Sequence, residues 1–223
     1  MKLRRTLQVK LPNGRISHML HLLSKGKVLH MDMEVYEALR KYNQQGQLFT
    51  YSDYASWEDG NRYELIDGVV HLMSAPTADH QRVLGRLFRK FADYLDDKAC
   101  EVFIAPFDVC LSGKGDDDYT VVQPDILVIC DESKIDNRYC NGAPDLVVEI
   151  LSPSTSSMDR IKKQNKYLQA GVREYWIADP VDRNIVVNLL ENGKYVIYAY
   201  DETDRISVHV LKDCSITLSD IFK

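Results

Sequence analysis

The chain has 223 residues, 45% apolar and 27% charged, a globular balance long enough for one well-buried domain with a small appendage, and its net charge of −5 does not by itself suggest a nucleic-acid partner. No apolar stretch approaches the roughly 20 residues that span a bilayer, and no signal-peptide pattern opens the chain. The cysteines (Cys100, Cys110, Cys130, Cys140, Cys214) are odd in number, widely spaced and never in a CxxC pair, which argues against a disulfide framework or zinc site and for a reducing cytoplasm.

Residues 1–45 read as an extension. Lys2, Arg4, Arg5, Lys10, Arg15, Lys25 and Lys27 precede the first acid, Asp32, so this arm is either a source of phosphate contacts or a solvated face. "LQVKLPNGRISHML" predicts a hairpin about Asn13-Gly14, and "DMEVYEALRKYNQQG" a short helix from Asp32 to a stop near Gly46. His18 and His21 are three apart, but no third ligand lies nearby.

The denser pattern from Phe49 onward assigns 46–223 to a second unit. "RYELIDGVVHLM" predicts a hairpin turning at Asp67-Gly68. In "DHQRVLGRLFRKFADYLDD", Leu84, Leu87, Phe88, Phe91 and Leu95 form one apolar helical stripe. The opposite face carries Arg82, Arg86, Arg89 and Lys90, either solvated or turned toward a phosphate. "EVFIAPFDVCLS", "TVVQPDILVIC" and "PDLVVEIL" are strand-like, and a helix over about 157–170 ends at Gly171. "EYWIAD", "NIVVNLL" and "KYVIYAY" complete an α/β or α+β domain with one mixed sheet flanked by helices. The link from "VVEIL" through a helix to "EYWIAD" is a βαβ unit, so those strands should be parallel.

Glu149 interrupts the apolar run Leu146, Val147, Val148, Ile150, Leu151. A carboxylate there must be hydrogen-bonded, paired or bound to a metal, because an uncompensated buried charge costs several kcal/mol. Asp125 opens another apolar strand, and two acids brought to one end of a sheet make a hard-oxygen pocket suited to Mg²⁺ or Mn²⁺. A proline–aspartate pair alone is weak, since Pro144-Asp145 is a second one.

Taken with "YELIDG", "APTADHQ", "APFDVCLS", "GAPDLVVEILSPST", "DRIKKQNKY" and "AGVREYWIADP", Pro124-Asp125 and Glu149 resemble the PD-(D/E)xK nuclease superfamily. The wider set of motifs closely resembles one of its branches, the Uma-type restriction-endonuclease family, long treated as a domain of unknown function. The resemblance covers residues 49 to about 180 and implies a restriction-endonuclease-like core. It implies a divalent-metal-dependent endonuclease acting on nucleic acid, DNA above RNA, and since nucleases that cut both strands commonly use two-fold symmetry, a homodimer is expected. Asp125, Glu149 and Glu64 would be the metal-binding acids, with Mg²⁺ (or Mn²⁺) as cofactor. The superfamily lysine position holds Leu151, and the branch transfers that role to Lys163; the residues alone do not separate Lys163 from Lys162 or Lys166. Glu64 is otherwise a hairpin acid paired with Arg62. His80, at a helix start capped by Thr77, and Gln123 are candidates for positioning water or substrate. Competing readings are a weakly catalytic nucleic-acid-binding or protein-interaction module, and a hydrolase of smaller phosphoesters.

Overall fold

The computed structural model of the chain describes residues 6–10, 16–20, 46–152 and 157–223. β1 (Thr6–Lys10) and β2 (Ile16–Leu20) pair antiparallel, as the pattern around Asn13-Gly14 predicts. The turn itself, and the helix expected from Asp32, lie outside the described residues.

Thr50 caps α1 (Tyr51–Ala55) in a reciprocal capping box with Asp53. β3 (Tyr63–Ile66) and β4 (Val69–Leu72) form the expected hairpin. Asp67 and Gly68 both take positive φ, 54° and 75°, as its two-residue turn requires. A Cβ on Gly68 would also come within 2.7 Å of the Leu48 side chain. α2 (Ala78–Leu95) buries Val83, Leu84, Leu87, Phe91 and Leu95, its predicted stripe. Part of its basic face is engaged within the chain: Arg86 donates to the Ile221 carbonyl and Lys90 pairs with Asp220.

Where one mixed sheet was expected, the strands divide into two principal sheets. The chain passes between them five times, and two of these crossings fall where "EVFIAPFDVCLS" and "TVVQPDILVI" each split. The first gives β5 (Glu101–Ile104) and β6 (Asp108–Cys110), the second β7 (Val121–Val122) and β8 (Ile126–Ile129). Pro106 and Pro124 stand in the gaps, where neither owes a ladder donor. With β9 (Tyr139–Asn141), β10 (Leu146–Ile150), β11 (Glu174–Asp179), β12 (Asn184–Glu191) and β13 (Lys194–Asp201), the orders are β13-β12-β11-β10-β8-β5 and β4-β3-β7-β6-β9. α3 (Ser157–Ala170) ends before Gly171 and joins β10 to β11, which are parallel as predicted. β14 (Arg205–Ser207) pairs with β15 (Ser215–Thr217) near the end of the chain.

Alternation along the central strands assigns the cores. Ile126, Val128, Leu146, Val148, Ile150 and Trp176 face α2 and the C-terminal segment. Leu127, Ile129, Val147 and Tyr175 face the other way, packing with Tyr167 of α3 and with Val109, Val122 and Cys140 of the five-stranded sheet. Among the described residues no helix is long and apolar enough to cross a membrane.

One expectation is overturned. Cys100 and Cys130 form a disulfide across 30 residues of sequence. Glu101 pairs with Ile129 in the β5–β8 ladder, so the next residues outward are brought face to face. Sequence spacing carries no sign of that adjacency, and the cysteine pattern loses its force as an argument for a reducing compartment.

Candidate active site

β10 and β8 run antiparallel with Val148 opposite Ile126, so one further step of the same register sets Glu149 opposite Asp125. Directly opposed residues share a face, here the face of Leu127 and Val147. The main chain holds Asp125 in place: the Ile150 amide donates to its Oδ2 at 2.7 Å. His80 Nε2 lies 3.1 Å from the same oxygen, brought there by the first turn of α2, where the Thr77 hydroxyl accepts from the His80 amide. The other ring nitrogen of His80, Nδ1, is buried with no hydrogen-bond partner among the described residues.

Glu149 is met from α3. Lys163 Nζ donates to its Oε1 at 3.0 Å and the Tyr167 hydroxyl to the same atom at 2.6 Å. Lys163 and Tyr167 are four residues apart and so project from one helix face. The ammonium also reaches Glu64 Oε1 at 2.8 Å, across from the six-stranded to the five-stranded sheet. That oxygen accepts the Gln123 amide at 2.9 Å as well.

Two carboxylates, Glu64 and Glu149, therefore meet one ammonium, with Asp125 opposite Glu149. Burial raises the Glu149 carboxyl above the ordinary glutamate range; Lys163 opposes the shift, while Asp125 and Glu64 add to it. Burial works against the Lys163 charge, but Glu149 and Glu64 outweigh it and hold the ammonium above the usual lysine value. Burial, with Glu149 next, keeps the Tyr167 hydroxyl protonated well past the usual tyrosine range.

Gln123 organises the neighbouring wall. Its Oε1 accepts from Arg62 Nε and Nη2 at 2.9 and 2.7 Å, while its Nε2 donates to the Tyr54 hydroxyl and to Asp108 Oδ1, each at 2.8 Å. Burial raises the Asp108 carboxyl, against the bonds from Gln123 and Tyr54. Arg62, Glu64, His80, Gln123, Asp125, Glu149 and Lys163 all line one cavity of about 320 Å³.

All six residues singled out from the sequence thus come together, with differences in their pairing. Glu64 pairs with Lys163 rather than Arg62. Lys163 forms its ion pairs with Glu64 and Glu149, whereas Asp125 turns to His80. Lys163 is buried between two acids, with 13% of its side chain exposed. Gln123 reaches the cavity from the break between β7 and β8. Arg62, Tyr54 and Asp108 were missed as partners. The i, i+4 spacing of Lys163 and Tyr167 was the one available signal for the tyrosine.

Among the described residues no group of three His, Cys, Asp or Glu side chains is gathered so as to hold a metal ion as it stands. Lys163 fills the space between Glu64 and Glu149. The donor chemistry still fits a hard cation: Asp125 and Glu149 oppose each other at the cavity wall, and the acids outnumber the lysine.

Residues 51–219 match the profile of a family described as "Uma2: Putative restriction endonuclease". An uncharacterised protein of Synechocystis is 29% identical over 160 residues, 70% of this chain and 82% of that protein. A crystal structure of a putative nuclease belonging to DUF820 from Anabaena variabilis shares the fold. It has a TM-score of 0.63 and 19% identity, over 78% of this chain and 97% of that one.

Proposed function

The chain belongs to the Uma2 family of putative restriction endonucleases, and on that premise we propose that it is a divalent-metal-dependent endonuclease hydrolysing phosphodiester bonds of nucleic acid, DNA above RNA. The observation that carries this reading is the convergence of Glu64, Asp125, Glu149 and Lys163 on one cavity from separate elements. The reaction is assigned to residues 46–223, with 1–45 as an extension outside the family match.

Asp125 and Glu149 are the residues that would hold Mg²⁺ or Mn²⁺, with Glu64 as the third acid. When bound, such an ion supplies charge neutralisation at the phosphoryl oxygens and a lowered pKa for the attacking water. The chain's own groups do the rest. Lys163 fixes Glu64 and Glu149 relative to each other and brings positive charge to the place where phosphoryl charge develops. Tyr167 and the Gln123 amide each hold one acid by a single oriented bond. His80 holds Asp125 against the Ile150 amide. Arg62, held through Nε and Nη2 by Gln123, presents a fixed positive charge that suits a phosphate.

The test is cleavage of plasmid DNA, linear duplex, single-stranded DNA and RNA with Mg²⁺, Mn²⁺ or chelator, beside Glu149→Gln. Metal-dependent cleavage of DNA that the variant lacks is the expected result. Absence of cleavage on every substrate with each metal would overturn it. Binding without cleavage would favour the second reading, a nucleic-acid-binding module, to which the placement of Lys163 between two acids lends support.

A further inference from the structure

β13 is the outermost strand of the six-stranded sheet, and among the described residues no strand covers its outer edge. Asn192 and Gly193, with φ of 49° and 76°, make a two-residue turn closed by the Glu191–Lys194 pair. From that pair the ladder alternates, so Lys194, Val196, Tyr198 and Tyr200 exchange main-chain bonds with β12. Tyr195, Ile197, Ala199 and Asp201 turn theirs outward. Asp204 already engages Asp201, donating to its carbonyl and accepting from its amide. Among the described residues no main-chain partner meets the outward groups of Tyr195, Ile197 and Ala199.

Proteins kept single protect such an edge with a central charge, a proline, a bulge or a short strand. β13 is eight residues long, and "YVIYAY" between its ends holds no charge, proline or glycine. Val196, Ile197 and Tyr198 are 36%, 61% and 40% exposed, on both faces of the strand.

We propose that this edge pairs with the same edge of a second copy, antiparallel about a two-fold axis, joining two six-stranded sheets into one. A second copy is indicated by the strand's own polarity: Lys194 stands at one end, Asp201, Glu202 and Asp204 at or beyond the other. Antiparallel self-pairing sets the lysine end of each copy against the acidic end of the other and the apolar middle against itself. The register follows from the available groups. Using all three outward residues on both copies requires Ile197 opposite Ile197 of the partner subunit, and Tyr195 opposite Ala199 of the partner subunit. The interface requires nothing of the candidate active site, so it stands or falls separately from the nuclease reading.

The experiment is sedimentation equilibrium over a dilution series on wild type, Ile197→Pro, Ile197→Lys and, as control, Val181→Lys, an exposed apolar position elsewhere. Proline at 197 removes an outward donor without touching a β12 bond; lysine sets like charges opposite each other. Wild type and Val181→Lys should sediment as dimers. Both Ile197 variants should dissociate at least tenfold more readily, with unchanged circular dichroism. Hydrogen exchange on wild type should show the 195, 197 and 199 amides slowing as the dimer forms. A monomeric wild type, or a dimer indifferent to both Ile197 changes, overturns the proposal. A monomer with those amides protected would do the same, and would show that another part of the same chain covers the edge.

Discussion

Glu149 on β10 and Glu174 on β11 stand in adjacent parallel strands of one sheet, on opposite faces, and both are withdrawn from water. Glu174 is fully buried and satisfied by fixed donors: the Trp176 indole N–H to Oε1 at 2.8 Å and the Val210 amide to Oε2 at 2.9 Å. It ties β11 to the C-terminal segment. Glu149 is satisfied by ionisable groups on a helix, one of which is shared with another acid across the cavity. Burial of an acid therefore does not mark a site. Crowding of several acids around one cation, facing open space, does.

That contrast can be broken most forcefully at Lys163. Lys163→Ala leaves Glu64 and Glu149 facing each other unpaired, so it should lose about 3–5 kcal/mol of stability to denaturant. Nuclease activity should fall on the order of 10²–10³-fold at a temperature where the variant is folded. Lys162→Ala and Lys166→Ala should retain activity; Lys166 pairs with Asp67 at the surface, worth about 0–1 kcal/mol.

Glu149→Gln separates the two functions of an acid. It removes a desolvated charge while keeping an acceptor for Tyr167, so denaturant midpoints should leave stability within about 1 kcal/mol of wild type. Cleavage should fall by about 10²-fold or more. A variant that loses stability and keeps activity would make Glu149 structural, like Glu174.

The reverse result is expected for Glu174→Gln. The amide sets an N–H against the Val210 N–H, costing about 1–3 kcal/mol, while cleavage per folded molecule stays at the wild-type rate.

The smallest effect is the pH slope of that cost. Burial raises the Glu174 carboxyl above its unfolded value, against the bonds from Val210 and Trp176, so the folded state takes up the proton first. Its contribution is whole below the unfolded glutamate pKa and declines as pH rises from there through the folded value. The stability gap between wild type and Glu174→Gln should therefore be widest in acid and narrow as pH rises, as denaturation at a series of pH values would show.

What could be read from the sequence divides along the range of the interaction. Asp67-Gly68, the 84–87–91–95 stripe, Thr77 as cap and Gly171 as stop are local signals, and each leads to the element observed. The Asp125–Glu149 pairing was within reach because two apolar strands each advertise one acid. The division into two sheets was not, since Gln123-Pro124-Asp125 reads as strand until the partners of β7 and β8 are known. The same holds for the Cys100–Cys130 bond and for Arg62, whose companion is 61 residues away. Lys163 came from family likeness alone; nothing in helical spacing separates it from its neighbours.

The ion pairs of Lys163 span two sheets: Glu64 belongs to one, Glu149 to the other. The pocket is thus a joint whose two jaws are held at a set opening by one side chain and by the shared apolar filling of Leu127, Val147, Val109 and Val122 behind it. Thinning that filling, as in Val147→Ala, changes no group that touches the cavity, yet it alters the clearance between the jaws. Alignment in this protein is a property of the spacing between sheets, and residues far from any reacting atom share in setting it.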